Sequence, residues 1–447
     1  MPFRSLAIAR SAMLTQNALV DVAARNVANV ETPGYTRQRA VLVSDGNGYG
    51  VDIITIQRVR DQYLTDQVLR QGRSLGQETA LQEGLTAVES VMNDTTDNGL
   101  SSLIGTFFDS FISLSSNPDS QAVRSQVVAA GQDMAQAFSR AYSDLDRVRI
   151  DMNQQVRNTV DQVNALFTKV AELNRIIPNA LQATPNNELM DQRDAAVADL
   201  AGLTGAKVYD NGDGTVDLLI GGVRVVHRAT AQQLEAVPVA SEPRFCEVQL
   251  VGGAPLPDVG GKIGGWLQVR DTAIPSYVAE LDTVANAIIQ NVNAVHRTGI
   301  GLDGTTTGLD FFGAGTGAAG IAVNPTVADD PGLVGASATG SSGDGSVALA
   351  ISALRDDTTL VSGRYTIEEG YAELVSRIGS DVSAADGRVK VRQTLVDDLQ
   401  TRRDQVSGVS LDEEAINVTR YQAAFQAAAK VVTVVQQMLD DLMTMLS

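Results

Sequence analysis

The sequence predicts a multidomain, mainly α-helical protein with one small inserted β-domain. Three observations support this: narrow apolar stripes with the spacing of paired helices lie at both ends, helical periodicity runs through residues 62–203, and strand-like alternation begins at Ala206. With 447 residues, the chain is long enough for about three domains. The N- and C-terminal helices are expected to pair as a coiled-coil-like axial domain, followed by a long-helix bundle domain.

The first helix carries a narrow apolar stripe close to the N-terminus. Its positions alternate at spacings of three and four, and seven of the eight are apolar: Leu6, Ala9, Met13, Gln16, Val20, Ala23, Val27 and Val30. Pro33 disfavours the helical conformation at Thr32, and Gly34 accommodates a positive φ. The helix is therefore expected to end here in a sharp turn.

The last helix carries a second stripe, which is wholly apolar. Its positions are Val418, Tyr421, Phe425, Ala428, Val432, Val435, Leu439, Leu442 and Leu446. Ser410 and Glu413 match the S-x-x-E capping box, and the acidic residues 412–414 complement the helix dipole, so capping rather than metal binding explains them. Both stripes need a partner. Packing within one chain is the alternative, but narrow stripes at the extreme termini favour assembly between chains.

Between the two ends, the pattern changes several times. Residues 62–203 are predicted helical, with breaks at Asn117-Pro118, Pro178 and Pro185, and strands are expected around a turn at 210–214. Residues 299–346 hold thirteen of the forty glycines, so they cannot bury a core of their own. The predicted parts are an axial terminal-helix domain (1–60 with 405–447), a helical bundle (61–205 with 265–300 and 366–404), a β-domain (206–264) and a Gly-rich irregular excursion (301–365).

Composition limits the possible partners. The net charge of -19 argues against nucleic acid and anionic lipid, because both need a basic surface. No apolar run reaches membrane-spanning length, and the first residues lack the continuous apolar segment of a secretory signal. The single cysteine, Cys246, excludes an internal disulfide and is expected to be a buried strand thiol.

The sequence offers little for catalysis. His227 and His296 lie far apart in the chain, with no pattern of a nucleophile or metal ligands around them, so both are predicted to be structural. The G-x-G-x-x-G matches at 299–304 and 315–320 lack a preceding strand and a following helix. The run 210–214 is expected to be a hairpin turn rather than a calcium loop. We therefore predict no catalytic, cofactor-binding or metal residues.

Both ends resemble one known family. Asn26 to Asn29 followed by Thr32-Pro-Gly-Tyr35 resembles the N-terminal signature of the axial proteins of the bacterial flagellum, namely the rod, hook and hook-associated proteins. The continuation Thr36-Arg37-Gln38 is similar to the hook-associated members. The run 407–414 with Tyr421-Gln422 and 427–430 resembles the C-terminal block of the same family.

The resemblance implies a non-enzymatic subunit that forms the layer between hook and filament and assembles through its terminal helices, without a cofactor. It implies as partners other copies of the chain, hook protein, a second hook-filament junction protein and an export chaperone on the C-terminal helix. It further implies an extracellular, flagellar location, reached through the flagellar type III apparatus without a cleaved signal. Another axial protein of the rod or hook type is the nearer alternative, and a secreted enzyme the distant one.

The residues expected to carry assembly belong to the two stripes and to the turn. They are Leu6, Met13, Val20, Val27, Asn26, Asn29, Pro33, Gly34, Tyr35, Val418, Tyr421, Phe425, Val432, Val435, Leu439, Leu442 and Leu446.

Overall fold

The computed structural model describes residues 2–44, 46, 50–93, 99–181 and 186–446. The helices are α1 Pro2–Ala28, α2 Gln62–Met92, α3 Leu100–Ser116, α4 Gln121–Leu181, α5 Asn187–Thr204, α6 Gly261–Gln268, α7 Ile274–His296, α8 Gly317–Gly320, α9 Pro325–Asp329, α10 Ser346–Ala353, α11 Ile367–Ser407 and α12 Leu411–Leu446. The strands are β1 Gln38–Ser44, β2 Val51–Arg58, β3 Lys207–Asp210, β4 Val216–Ile220, β5 Val223–His227, β6 Thr230–Ala231, β7 Leu234–Val239 and β8 Glu242–Leu250. Long helices with one small β region confirm the predicted fold class.

The two ends of the chain pack together. Helices α1 and α12 lie along each other, and β1 and β2 form an antiparallel hairpin that returns along α1. The hydroxyls of Ser11 and Thr15 fix this hairpin, because each donates to the Val51 carbonyl at 2.8 Å. The two helices run antiparallel, since Ala23 near the end of α1 shares a groove with Glu414 at the start of α12. We refer to α1, β1, β2 and α12 as the terminal domain.

Helices α2 to α7 and α11 form the bundle. Its apolar core extends from Leu69 on α2 to Ala385 on α11 and, among the described residues, includes none from the terminal domain. The core contains a cluster of aromatic rings in edge-to-face and tilted contacts: Phe107, Phe108, Phe111, Phe311 and Phe312. The parts of α2 and α11 nearest the terminal domain continue as a helix pair, in which Arg392 donates to Gln71 at 3.0 Å.

Helix α4 tests the predicted helix breaks. It begins at Gln121, just after Asn117-Pro118, so that break is confirmed. The break predicted at Pro178 is wrong, because Pro178 lies inside α4, which continues to Leu181. A proline in the last turn of a helix removes one backbone hydrogen bond and leaves only a short remainder to distort. Pro185 lies outside the described residues.

The β region forms where the strand pattern predicts it. Strands β3, β4, β5 and β6 make an antiparallel sheet in that order, and β7 pairs with β8. Asn174 on α4 attaches the sheet to the bundle, since its amide donates to the Val216 carbonyl at 2.7 Å and accepts from the Val216 N–H at 3.1 Å. Cys246 is fully buried on β8, and its N–H donates to Asn153 at 2.8 Å.

The glycine-rich segment has an irregular backbone and packs against the bundle. Residues 301–365 are largely irregular, yet Phe311 and Phe312 are fully buried against α3. Arg124 on α4 donates to two backbone carbonyls of the segment, and Asn293 on α7 bonds both the N–H and the carbonyl of Phe312. The segment therefore completes the core of the bundle, because side chains of neighbouring helices satisfy its backbone.

Two features are absent from the described residues. No helix there is long and apolar enough to span a membrane. No group of three or more His, Cys, Asp or Glu side chains in the same residues is placed to hold a metal ion.

Candidate assembly interface at the chain ends

The two apolar stripes face each other within one chain. Ala9, Ala23, Ala428 and Val435 are buried between α1 and α12. The stripe residues beside them are half-buried: Leu6, Met13, Val20, Val418, Tyr421, Phe425, Val432 and Leu439. We call this contact the seam. Most of the predicted assembly residues therefore already have an intramolecular partner.

The seam ends before either stripe does. Val27 is 39% exposed, because the chain leaves the helix at Ala28, and Leu442 is 49% exposed. Helix α12 has 36 residues, whereas α1 has 27. When the start of α12 is aligned with the end of α1, α12 therefore extends about nine residues beyond the start of α1. At about 1.5 Å per residue, this overhang is roughly 14 Å long. Leu442 lies in this overhang. The side chain of Leu446 lies outside the described residues.

A second apolar face of α12 lies beside the seam. It consists of Ala427, Val431, Val434, Met438, Leu442 and Met445, all exposed, and we call it the outer stripe. Val434 is 53% exposed and Met438 is 57% exposed, whereas the adjacent Val435 is 5% exposed. The sequence signal for this face was present, since the C-terminal half of α12 is apolar on two sides. The single-stripe interpretation missed it.

The predicted turn is built around one buried side chain, Asn26. Its amide donates to the Gln38 carbonyl at 3.0 Å, and its carbonyl oxygen accepts the Gln38 N–H at 3.0 Å and the Tyr35 hydroxyl at 2.9 Å. Burial is the main cause that raises the pKa of Tyr35 to about 12, with the nearby Asp191 carboxylate adding to it. Asn26 thus joins the end of α1 to β1 and to the half-buried Tyr35.

The other signature residues lie nearer the surface. Asn29 is half-buried and donates to the Arg25 carbonyl at 2.9 Å, which caps the end of α1. Pro33 and Gly34 are exposed, and Gly34 has φ of +80° with no atom near the position of a Cβ. The glycine is therefore required by backbone conformation rather than by lack of space.

The start of α12 is fixed to this turn by Arg37. Its guanidinium donates to Glu414 at 2.7 Å and to Glu413 at 2.6 Å, and its N–H donates to the Ser407 carbonyl at 2.9 Å. The predicted capping box is only partly formed. Ser410 accepts the Glu413 N–H at a long 3.5 Å, while the Glu413 side chain turns to Arg37. Sequence reasoning did not pair these residues, which are distant in the chain.

Comparison with known proteins identifies the family. The profile of the flagella basal body rod protein matches residues 6–36, and that of the flagellar basal body rod FlgEFG protein C-terminal matches residues 403–445. The profile of the flagellar hook-associated protein FlgK helical domain matches residues 85–312, half of the chain. The chain belongs to the FlgK family of flagellar hook-associated proteins.

Relatives of this FlgK-family chain match over nearly their full length. It is 28% identical to flagellar hook-associated protein 1 of Bacillus subtilis, over 98% of this chain and 97% of the relative. It is 23% identical to the protein of that name in Escherichia coli, over 97% of this chain and 98% of the relative. The structure of the flagellar hook junction protein FlgK from Burkholderia pseudomallei shares the fold, with a TM-score of 0.64 at 16% identity, over 76% of this chain and 100% of that one.

The family assignment settles the class of function. This FlgK-family chain is a structural protein of the flagellar hook-filament junction, so the predicted family and function are confirmed. The match through residues 85–312 favours the hook-associated branch over the rod or hook alternative. The family is one of flagellar structural proteins rather than enzymes.

The two histidines of this FlgK-family protein have different surroundings. His296 is buried, and its Nδ1–H donates to the Leu309 carbonyl at 2.8 Å while Nε2 accepts the Gly335 N–H at 2.9 Å. Burial lowers the pKa of His296 below its usual value. The side chain of His227 is about half exposed, and its Nδ1 lies within hydrogen-bond distance of the Asp217 carboxylate, at 2.9 Å. His296 fastens the glycine-rich segment to α7 as a neutral ring.

His296 should make the bundle sensitive to acid. Above about pH 6.5 the ring is neutral in both states, but below it the unfolded chain gains a proton that the folded chain resists. The free energy of unfolding should therefore fall more between pH 7.5 and 5.5 in the wild type than in His296→Gln, which does not titrate. Denaturant unfolding at the two pH values measures this difference. An equal fall in the free energy of unfolding for the two proteins between these pH values would contradict the prediction.

Proposed function

We propose that copies of this chain assemble at the hook-filament junction by packing their terminal domains side by side, with the outer stripe of α12 as the contact between copies. The observation that carries this proposal is the difference between the two faces of α12. The seam is occupied by α1 of the same chain, whereas the outer stripe is exposed along the C-terminal half of the helix. An extended apolar face of this kind on a soluble chain marks a contact surface.

The size of the stripe suits assembly that depends on several neighbours. Full burial of one Val, Leu or Met side chain contributes about 1.5–3 kcal/mol, and the stripe has already lost part of its exposure in the single chain. A single pairwise contact must also offset the loss of translational and rotational freedom on association. Contacts with more than one neighbour would make the layer stable while leaving free subunits soluble.

The overhang supports proposals about further partners. Met438, Met443 and Met445 are exposed at 57%, 72% and 87%, and methionine side chains adapt to differently shaped surfaces. We propose that a flagellar export chaperone covers this end of α12 before export through the flagellar type III apparatus. In the assembled, extracellular layer, hook protein and the second hook-filament junction protein would contact the terminal domains from either side.

Complementation tests the proposed function. In a flagellated strain deleted for its own gene of this family, expression of the wild-type chain should restore attached filaments and swimming, because the junction layer is again complete. A chain truncated after residue 430 should not do so, since it lacks most of the outer stripe. Filaments are counted by electron microscopy, and immunoblots of the culture medium verify that both proteins are exported. Restored filaments with the truncated chain would remove the end of α12 from assembly.

A further inference from the structure

The terminal domain meets helix α5 of the bundle through a cluster of polar side chains. Arg58 donates to Asp191 and to Asp194, both at 2.8 Å, and Arg60 donates to Asp194 at 3.2 Å. Thr36 donates to Asp191 twice, through its N–H at 3.1 Å and its hydroxyl at 2.8 Å. We call these five residues the polar joint. Arginines and a threonine from the terminal domain thus converge on two carboxylates of one bundle helix.

The polar joint lies between two separately packed bodies. The apolar core of the bundle contains none of the described residues of α1, β1, β2 or α12, which pack in their own seam. Beside the joint, the amide of Asn187 on α5 donates to the Ile56 carbonyl of β2 at 3.0 Å. The contacts described here between the two bodies are hydrogen bonds and ion pairs. Interfaces of this polar type resemble transient contacts, so the angle between the bodies depends on them.

The joint is well enough shielded from water for its charges to matter. The side chains of Arg58 and Asp191 are each 9% exposed, against 31% for Asp194 and 30% for Arg60. Removal of one partner from a buried ion pair leaves an uncompensated charge, which favours opening of the contact to water. Thr36 also lies between Tyr35 and Arg37, which hold the turn and the start of α12. The joint thus acts at the point where α1, β1 and α12 converge.

We propose that Asp191 and Asp194 are positioning residues that hold the terminal domain at one angle to the bundle, and that loss of their charges frees this angle while both bodies stay folded. A junction subunit needs a defined angle between its axial helices and its outer part. The proposal goes beyond assembly and does not rest on it, because the angle is a property of the single chain.

Distance measurements on the monomer test the proposal. Spin labels on Gln162→Cys in α4 and Gln426→Cys in α12, both exposed positions, report the separation of the two bodies, and Cys246 is buried and protected from labelling. The wild type should give one narrow distance distribution by pulsed electron paramagnetic resonance. Asp191→Asn with Asp194→Asn should broaden it at least twofold. Asp199→Asn, at an exposed aspartate of the same helix, should leave the width unchanged.

Two further measurements separate positioning from general stability. A label pair within the bundle, on Gln162→Cys and Ser376→Cys, should keep its width in the Asp191→Asn/Asp194→Asn variant, because the bundle stays folded. Asp194→Arg should broaden the distribution between bodies, and adding Arg60→Glu should narrow it again by restoring the pair with reversed charges. An unchanged distribution in the double Asn variant, or equal broadening of both label pairs, would overturn the proposal. Filament attachment is not used, so failure of the assembly proposal would not affect this result.

Discussion

Replacing Val434 and Met438 with aspartate should abolish attached filaments while leaving the free subunit folded. Both side chains are more than half exposed in the single chain, so the substitutions should change its stability by less than about 1 kcal/mol. In the assembled layer the same positions would be buried against a neighbouring copy. Each unpaired carboxylate there would cost several kcal/mol, which far exceeds what a weak contact can absorb. The measurements are the melting temperature of the purified monomer and the fraction of cells with filaments.

The neighbouring valines provide a matched control. Val434→Asp and Val435→Asp introduce the same change at adjacent positions, but Val435 is only 5% exposed and lies in the seam. Val435→Asp should therefore separate α1 from α12 in the free chain, seen as faster amide exchange in α1, whereas Val434→Asp should not. A double variant Val434→Asp/Met438→Asp that still supports normal filaments would exclude the outer stripe as the contact between copies.

This pair of valines also illustrates what periodicity can and cannot predict. The three-four spacing correctly located the residues that α12 buries, such as Ala428 and Val435, because a helix that pairs with another must present one regular face. Periodicity does not identify the partner. The structure assigns that face to α1 of the same chain, so the surface that we propose for contact with other copies is a different one, beginning at Ala427.

Contacts between distant parts of the chain were beyond the reach of sequence patterns. Thr36 and Asp191 are 155 positions apart, and Arg37 and Glu414 are 377 apart. Charged residues are frequent on any soluble surface, so composition cannot select which of them pair. The packing of the glycine-rich segment could not be predicted for a related reason. Its glycine content indicates an irregular backbone, but the buried Arg124 that satisfies this backbone lies on α4.

Asn26→Ala should disrupt the turn after α1 far more than Asn29→Ala does. Asn26 is buried and makes three hydrogen bonds that join α1 to Tyr35 and β1, so its removal leaves the Gln38 N–H and carbonyl without partners. Each buried polar group left unpaired costs about 1–3 kcal/mol, which gives a local loss of about 3 kcal/mol. Asn29 makes a cap at the surface, and its loss should cost about 1 kcal/mol or less.

The two asparagines share a residue type and a motif, so the comparison isolates burial. Hydrogen exchange of the amides in α1 and β1 measures the local effect, and filament counts in the deletion strain measure the consequence for assembly. We expect exchange in Asn26→Ala to be faster by a factor of about 100, since each 1.4 kcal/mol corresponds to a tenfold change. Filaments should be shed, because α12 loses the support of α1. The outer stripe is then no longer held in the position that we propose for contact with neighbouring copies. Equal exchange rates in the two variants would mean that the turn is held by Pro33 and Gly34 instead.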